Sequence, residues 1–181
     1  MKLRWLFYVQ NLDIVFVEMV CAFLFWTVLM LLLNEKARRI ISAVAAVLSL
    51  SAVLFMTVFM RSSADGIRAS FIPFISFVNA QSNVEIYRSM LMNVCLFLPL
   101  GLSMPFALSG KVRRNVIITI IFALLLSAGV EAIQFVFRSG MCETDDVIMN
   151  TLGASTGTLS FLICGGVSRL RSKHIHRHRG K

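Results

Sequence analysis

The chain has 181 residues, of which 57% are hydrophobic and 15% charged, and its mean hydropathy is +0.80. That is too apolar for a soluble domain of this length, so its core is read as lipid plus helix contacts. The formal net charge of +9, from 18 Lys and Arg against 9 Asp and Glu, sits mainly in short loops and at the C-terminal end. There it reads topology and anionic lipid, and no nucleic-acid partner is expected.

In chain order, the opening MKLRWLFYVQNLD carries Trp5, Phe7 and Tyr8 and has the character of a short helix lying along the interface. Five spans follow at 14–33, 40–60, 89–108, 115–137 and 147–167, each near the ~20 apolar residues that cross a bilayer. The first is too long for a cleaved signal and lacks an A-x-A site, so it is expected to stay as an anchor. Pro99, Gly101 and Pro105 interrupt the third, which is expected to be kinked or broken at Pro99. The fifth carries Gly153 and Gly157 in a GxxxG pattern that allows close backbone approach. The fourth span is its expected partner, because an eight- or nine-residue loop makes the two antiparallel neighbours. The whole of 1–181 is expected to be one transmembrane domain, all-α, with a basic tail at 168–181. His174, His176 and His178 in that tail are read as part of a flexible, lipid-attracted segment rather than a metal site.

Orientation follows from Lys and Arg. Twelve lie in the first loop (Lys36, Arg38, Arg39), the third loop (Lys111, Arg113, Arg114) and the tail, against six on the other side. The positive-inside rule places the first set in the cytoplasm. The N-terminus, the 61–88 loop and the 138–146 loop are then outside. Cys142 is the one cysteine of that outer side, with Cys21, Cys95 and Cys164 inside spans, so no disulfide framework is expected.

This topology gives the intramembrane polar residues a common depth. Glu18, Asn93, Glu131, Gln134 and Asn150 all fall within roughly 5–9 Å of the outer boundary at the helical rise per residue. Ionisable groups in hydrocarbon cost several kcal/mol each and face bundle interiors or wet cavities. Glu131, Gln134 and Arg138 stand at i, i+3 and i+7 on one face, and Asp146, Asn150, Gly153 and Gly157 share another. The pattern predicts an outward polar pocket, with Arg61, Arg68, Arg88 or Arg138 as counter-charges; the plainer reading is that each polar group snorkels separately. Asp145 and Asp146 point about 100° apart on a helix, so one is a candidate N-cap and Asp146 the candidate pocket group.

Three blocks of sequence resemble the VanZ-like membrane proteins. They are Glu131-Ala-Ile-Gln134 with Arg138 and Asp145-Asp146-Val-Ile-Met-Asn150-Thr-Leu-Gly153 with Gly157; Asn93-Val-Cys-Leu-Phe97-Leu-Pro99-Leu-Gly101; and Arg68 with Ile72-Pro73-Phe74. They cover about residues 68–157 in the family's order and spacing, while Ser139–Glu143 departs from it. The resemblance implies a multi-pass protein of the bacterial cytoplasmic membrane, associated with reduced susceptibility to teicoplanin-type lipoglycopeptides. On that reading, an outward pocket of Glu131, Gln134, Arg138, Asp145, Asp146, Asn150, Asn93 and Arg68 engages membrane lipid, a lipid-linked cell-wall precursor or the lipoglycopeptide itself. Arg138 or Arg68 would meet phosphate or carboxylate.

Two other classes stay open. A membrane-embedded enzyme could use paired carboxylates with an arginine on a phosphorylated lipid. The spans carry no His, no nucleophile with an evident base and no metal-ligand spacing, so no metal or cofactor is expected. A small transporter or flippase would more often show an internal repeat, which this chain lacks.

Overall fold

The computed structural model describes residues 2–59, 68–137 and 141–179. It is built from α1 (Lys2–Leu32), α2 (Glu35–Leu54, prolonged by a π-helical turn at Phe55–Phe59), β1 (Arg68–Ser70), α3 (Ile75–Ala80), α4 (Val84–Ala107), α5 (Val112–Phe137), β2 (Met141–Glu143) and α6 (Thr144–Arg179). Five segments are long and apolar enough to cross a membrane: Ile14–Leu32, Glu35–Thr57, Val84–Ala107, Val112–Phe137 and Thr144–Ser168. The protein is an all-α, multi-pass membrane protein.

Caps explain why two spans begin about five residues earlier than the apolar runs. Asn34 sits in extended backbone and its side chain accepts from the Ala37 N–H at 2.9 Å, so α2 starts at Glu35. Asn83 does the same for α4, accepting from the Glu85 N–H at 3.0 Å. Each cap is followed by an acidic first turn, Glu35 and Glu85, which suits the positive end of the helix dipole.

Two expectations need correction and a third is narrowed. Of the two forms expected for the third span, kinked or broken at Pro99, it is not broken: α4 is continuous helix through both Pro99 and Pro105, since a proline removes one backbone donor per site and the flanking turns persist. Residues 2–13 continue the α1 helix instead of forming a separate interfacial one. The basic tail likewise continues α6 to Arg179, because nothing between Val167 and Arg179 is Gly or Pro and its Lys and Arg residues are good helix formers.

The packing of the glycine stripe is the largest departure. A Cβ added at Gly153 would fall under 3.0 Å from the Val94 backbone, one at Gly157 would meet the backbone of Leu98, Gly101 and Leu102, and one at Gly101 would meet Ala154. The glycine stripe of the fifth span therefore closes on the third, while the fourth lies beside it, bonded through Asn150 and Ser127. Gly101 supplies the matching notch on α4, whereas Gly129 of α5 meets nothing within 4 Å. This contact makes α4 the central helix, with 56% of its span buried against 11% for the first span. Val53, Phe97, Leu100, Ala123 and Ala154 knit α2, α4, α5 and α6 into one core. The outer faces carry Phe16, Leu24, Leu125 and Leu162, as a lipid-facing surface requires.

One end of the bundle bears a small non-helical crown. β1 and β2 pair in parallel, with Arg68 opposite Met141, Ala69 opposite Cys142 and Ser70 opposite Glu143. The crown ties the segment before α4 to the segment before α6 and so fixes the start of α6.

Candidate functional site

α6 begins directly beneath this crown, and its first residues are bonded in three directions. Asp145, 1% exposed, accepts from the Phe74 N–H at 2.6 Å and from the Ser76 N–H at 2.7 Å. It caps the short α3 helix of another segment, and both its carboxylate oxygens are engaged. The bond to Phe74 holds a bulky residue at φ 65°, in the left-handed region that such residues rarely enter. Asp146, one residue on, turns toward α4 and accepts from Asn93 Nδ2 at 2.7 Å. Asn150, a turn deeper, donates through Nδ2 to Ser127 Oγ of α5 at 2.8 Å.

The α5 face supplies the rest. Ser127, Glu131 and Gln134 are all buried along one stripe. Glu131 accepts from the Glu143 N–H of β2 at 3.0 Å. Gln134 Nε2 donates to the Thr57 carbonyl at 2.9 Å, reaching the π-helical turn that ends the second span. Such a turn leaves carbonyls off the regular ladder and is frequent at functional sites. Ser76 Oγ donates to Glu143 Oε2 at 3.3 Å, which closes the circuit between α3, β2 and α5. Glu131, Gln134 and Asp146 each have partners beyond these.

Four carboxylates, from Glu131, Glu143, Asp145 and Asp146, are thus gathered at one end of the bundle, three of them on buried residues. Cys142 lies among them. Burial pushes its thiol up from the ordinary value, and the Glu131 carboxylate, by charge and by hydrogen bond, followed by Asp146 and Glu143, pushes it further. Among the described residues, one buried side-chain atom at this end lacks a partner: Asn150 Oδ1, on a residue only 3% exposed. Among the described residues, no three of His, Cys, Asp and Glu converge as a metal site would need.

The residues singled out in sequence are distributed as follows. Glu131, Gln134, Asp145, Asp146 and Asn150 are buried at this end, and Asn93 is half-buried beside them. Glu18, on the peripheral α1, is exposed and joins none of these bonds. Arg68 is placed by its backbone in β1, but its side chain lies outside the described residues, as do Arg61 and Arg138. Sequence reasoning missed Ser127, Glu143, Ser76 and the Thr57 carbonyl. Ser127 was one turn before Glu131 on the same stripe and could have been found by extending it; the other three depend on the crown.

Comparison with known proteins adds one decisive observation. The VanZ/LLP1 family model matches residues 19–165, most of the chain. The chain belongs to the VanZ/LLP1 family. No curated protein matches it, and no solved structure does. Within this VanZ/LLP1 chain, the matched region takes in α4, α5, the crown and the α6 segment that carries the buried acidic groups.

Proposed function

We propose that this family member lowers susceptibility to teicoplanin-type lipoglycopeptides by engaging a lipid or a lipid-linked cell-wall component at its acidic end. That end would face outward in the bacterial cytoplasmic membrane, with the C-terminus in the cytoplasm. The observation that carries the reading is the gathering of Glu131, Asp145, Asp146 and Asn150 in buried positions between helices. Burying such groups at membrane depth is costly, and the close approach of α6 to α4 is already made by Gly101, Gly153 and Gly157.

The chemistry fits a ligand with both donors and anionic groups. Glu131 and Asp146 accept hydrogen bonds, and Asn150 Oδ1 awaits a donor. Arg68 on β1, with Arg138 next to α5 in sequence, offers planar forks for phosphate or carboxylate. Asp145 serves the site by fixing α3 and the crown. Expression of the protein in a sensitive Gram-positive host tests the reading. It should raise the inhibitory concentration of teicoplanin several-fold and leave that of vancomycin nearly unchanged. Equal change for both drugs, or for neither, would contradict it.

A further inference from the structure

The opposite, basic end of the bundle holds a cavity of about 310 Å³ that plays no part in the acidic network. It is at the lower bound of small-ligand clefts, roughly 300 Å³. Its rim carries Arg38, Arg39 and Glu35, and its wall is formed by Phe106, Phe161 and Cys164 among others. Phe106 and Phe161 meet edge to face with centroids 4.8 Å apart, giving a firm apolar side.

Two features of the lining are incomplete. Arg39 is paired with Glu35 at 3.5 Å, whereas Arg38, half-buried, has no ion-pair partner among the described residues. A half-buried guanidinium without a counter-charge is an anion site in waiting. Asn115, 1% exposed, also lines the cavity. Its Nδ2 donates to the Pro105 carbonyl at 3.1 Å and to the Leu108 carbonyl at 2.9 Å. These two acceptors fix which end of the amide is nitrogen. The remaining atom, Oδ1, is therefore an acceptor, buried and unpartnered. The lining lacks an anion for Arg38 and a hydrogen-bond donor for Asn115, above an apolar wall.

We infer that this cavity binds the headgroup of an anionic glycerophospholipid at the basic membrane face, its phosphodiester at Arg38 and a headgroup hydroxyl toward Asn115. The apolar wall receives the start of the lipid's glycerol and acyl portion.

The test uses the full chain in detergent, stripped of lipid, with its unfolding midpoint followed as phosphatidylglycerol, phosphatidylcholine or inorganic phosphate is added. Phosphatidylglycerol should raise the midpoint by several degrees and phosphatidylcholine should not. Arg38→Gln should weaken the apparent affinity by about five-fold or more. Arg113→Gln, an equal loss of charge at an exposed position off the cavity, should leave it unchanged. Gly165→Leu keeps every charge but fills the cavity, where a Cβ has only Val112 at 3.7 Å; it should weaken binding as Arg38→Gln does. If Arg38→Gln does not fold, the Gly165→Leu and Arg113→Gln pair decides. Equal weakening by Arg38→Gln and Arg113→Gln would reduce the effect to diffuse charge and overturn the site. Wild-type binding by Gly165→Leu would also overturn it, and a full shift from inorganic phosphate alone would overturn the lipid as its source.

Discussion

Asp145 and Asp146 are neighbours in sequence with separate tasks, and the difference is one of direction. Asp145 spends both oxygens on the Phe74 and Ser76 amides, and Asp146 faces Asn93 on the central helix. Hydrogen bonds to a charged acceptor are worth about 1.5–3 kcal/mol each. Asp145→Ala should therefore lower the stability of the detergent-purified protein by about 3 kcal/mol or more, read as a large fall in unfolding midpoint and membrane abundance. At Phe74, whose φ is 65°, Gly should be tolerated better than Val, since β-branched residues adopt that region worst. Cys142 reports on the same carboxylates. Its thiol titrates above the ordinary value, so near neutral pH it is protonated and slow toward thiol reagents, and labelling accelerates as pH rises toward the thiol's own value. Glu131→Gln removes a charge that holds the thiol up. It should shift the labelling–pH profile of Cys142 to lower pH; an unmoved profile would separate the two groups.

The elements were legible to different degrees, and for physical reasons. Apolar length alone marks the five spans, because lipid leaves a backbone little choice but helix. The buried stripe of Glu131 and Gln134 was visible through its helical spacing. The crown was not, since three-residue strands at Arg68–Ser70 and Met141–Glu143 are too short to show an alternating pattern. Without it, Glu143 and Ser76 had no visible reason to meet the acidic groups. The partner of the glycine stripe was misread because loop length favoured α5, while the decisive feature was Gly101 beneath Ala154. Gly153→Leu should accordingly force α6 away from α4. Overpacking costs about 1–3 kcal/mol, sometimes more, and here the obstacle is backbone, so a marked loss of folded protein is expected on size-exclusion profiles. Gly129→Leu on α5, with nothing within 4 Å of its Cβ position, should leave the profile as it is.

Across the whole molecule, the acidic crown and the basic end are opposite poles of one bundle, joined by α4, α5 and α6. On the proposed orientation the acidic pole is the outer one, and Cys142 probes it. An impermeant thiol reagent at raised pH should reach Cys142 in intact cells, and a cysteine replacing Ser172 should react only after permeabilisation. Reversed labelling would put the crown in the cytoplasm. The central claim is that the buried acidic groups act on a ligand and do not merely hold helices together. The measurement that tests it most directly is teicoplanin protection divided by membrane abundance for Glu131→Gln and Asp146→Asn. Both variants keep side-chain shape and remove charge. Near wild-type abundance with protection abolished is expected in each; full protection in both would overturn the claim and leave these residues a packing role.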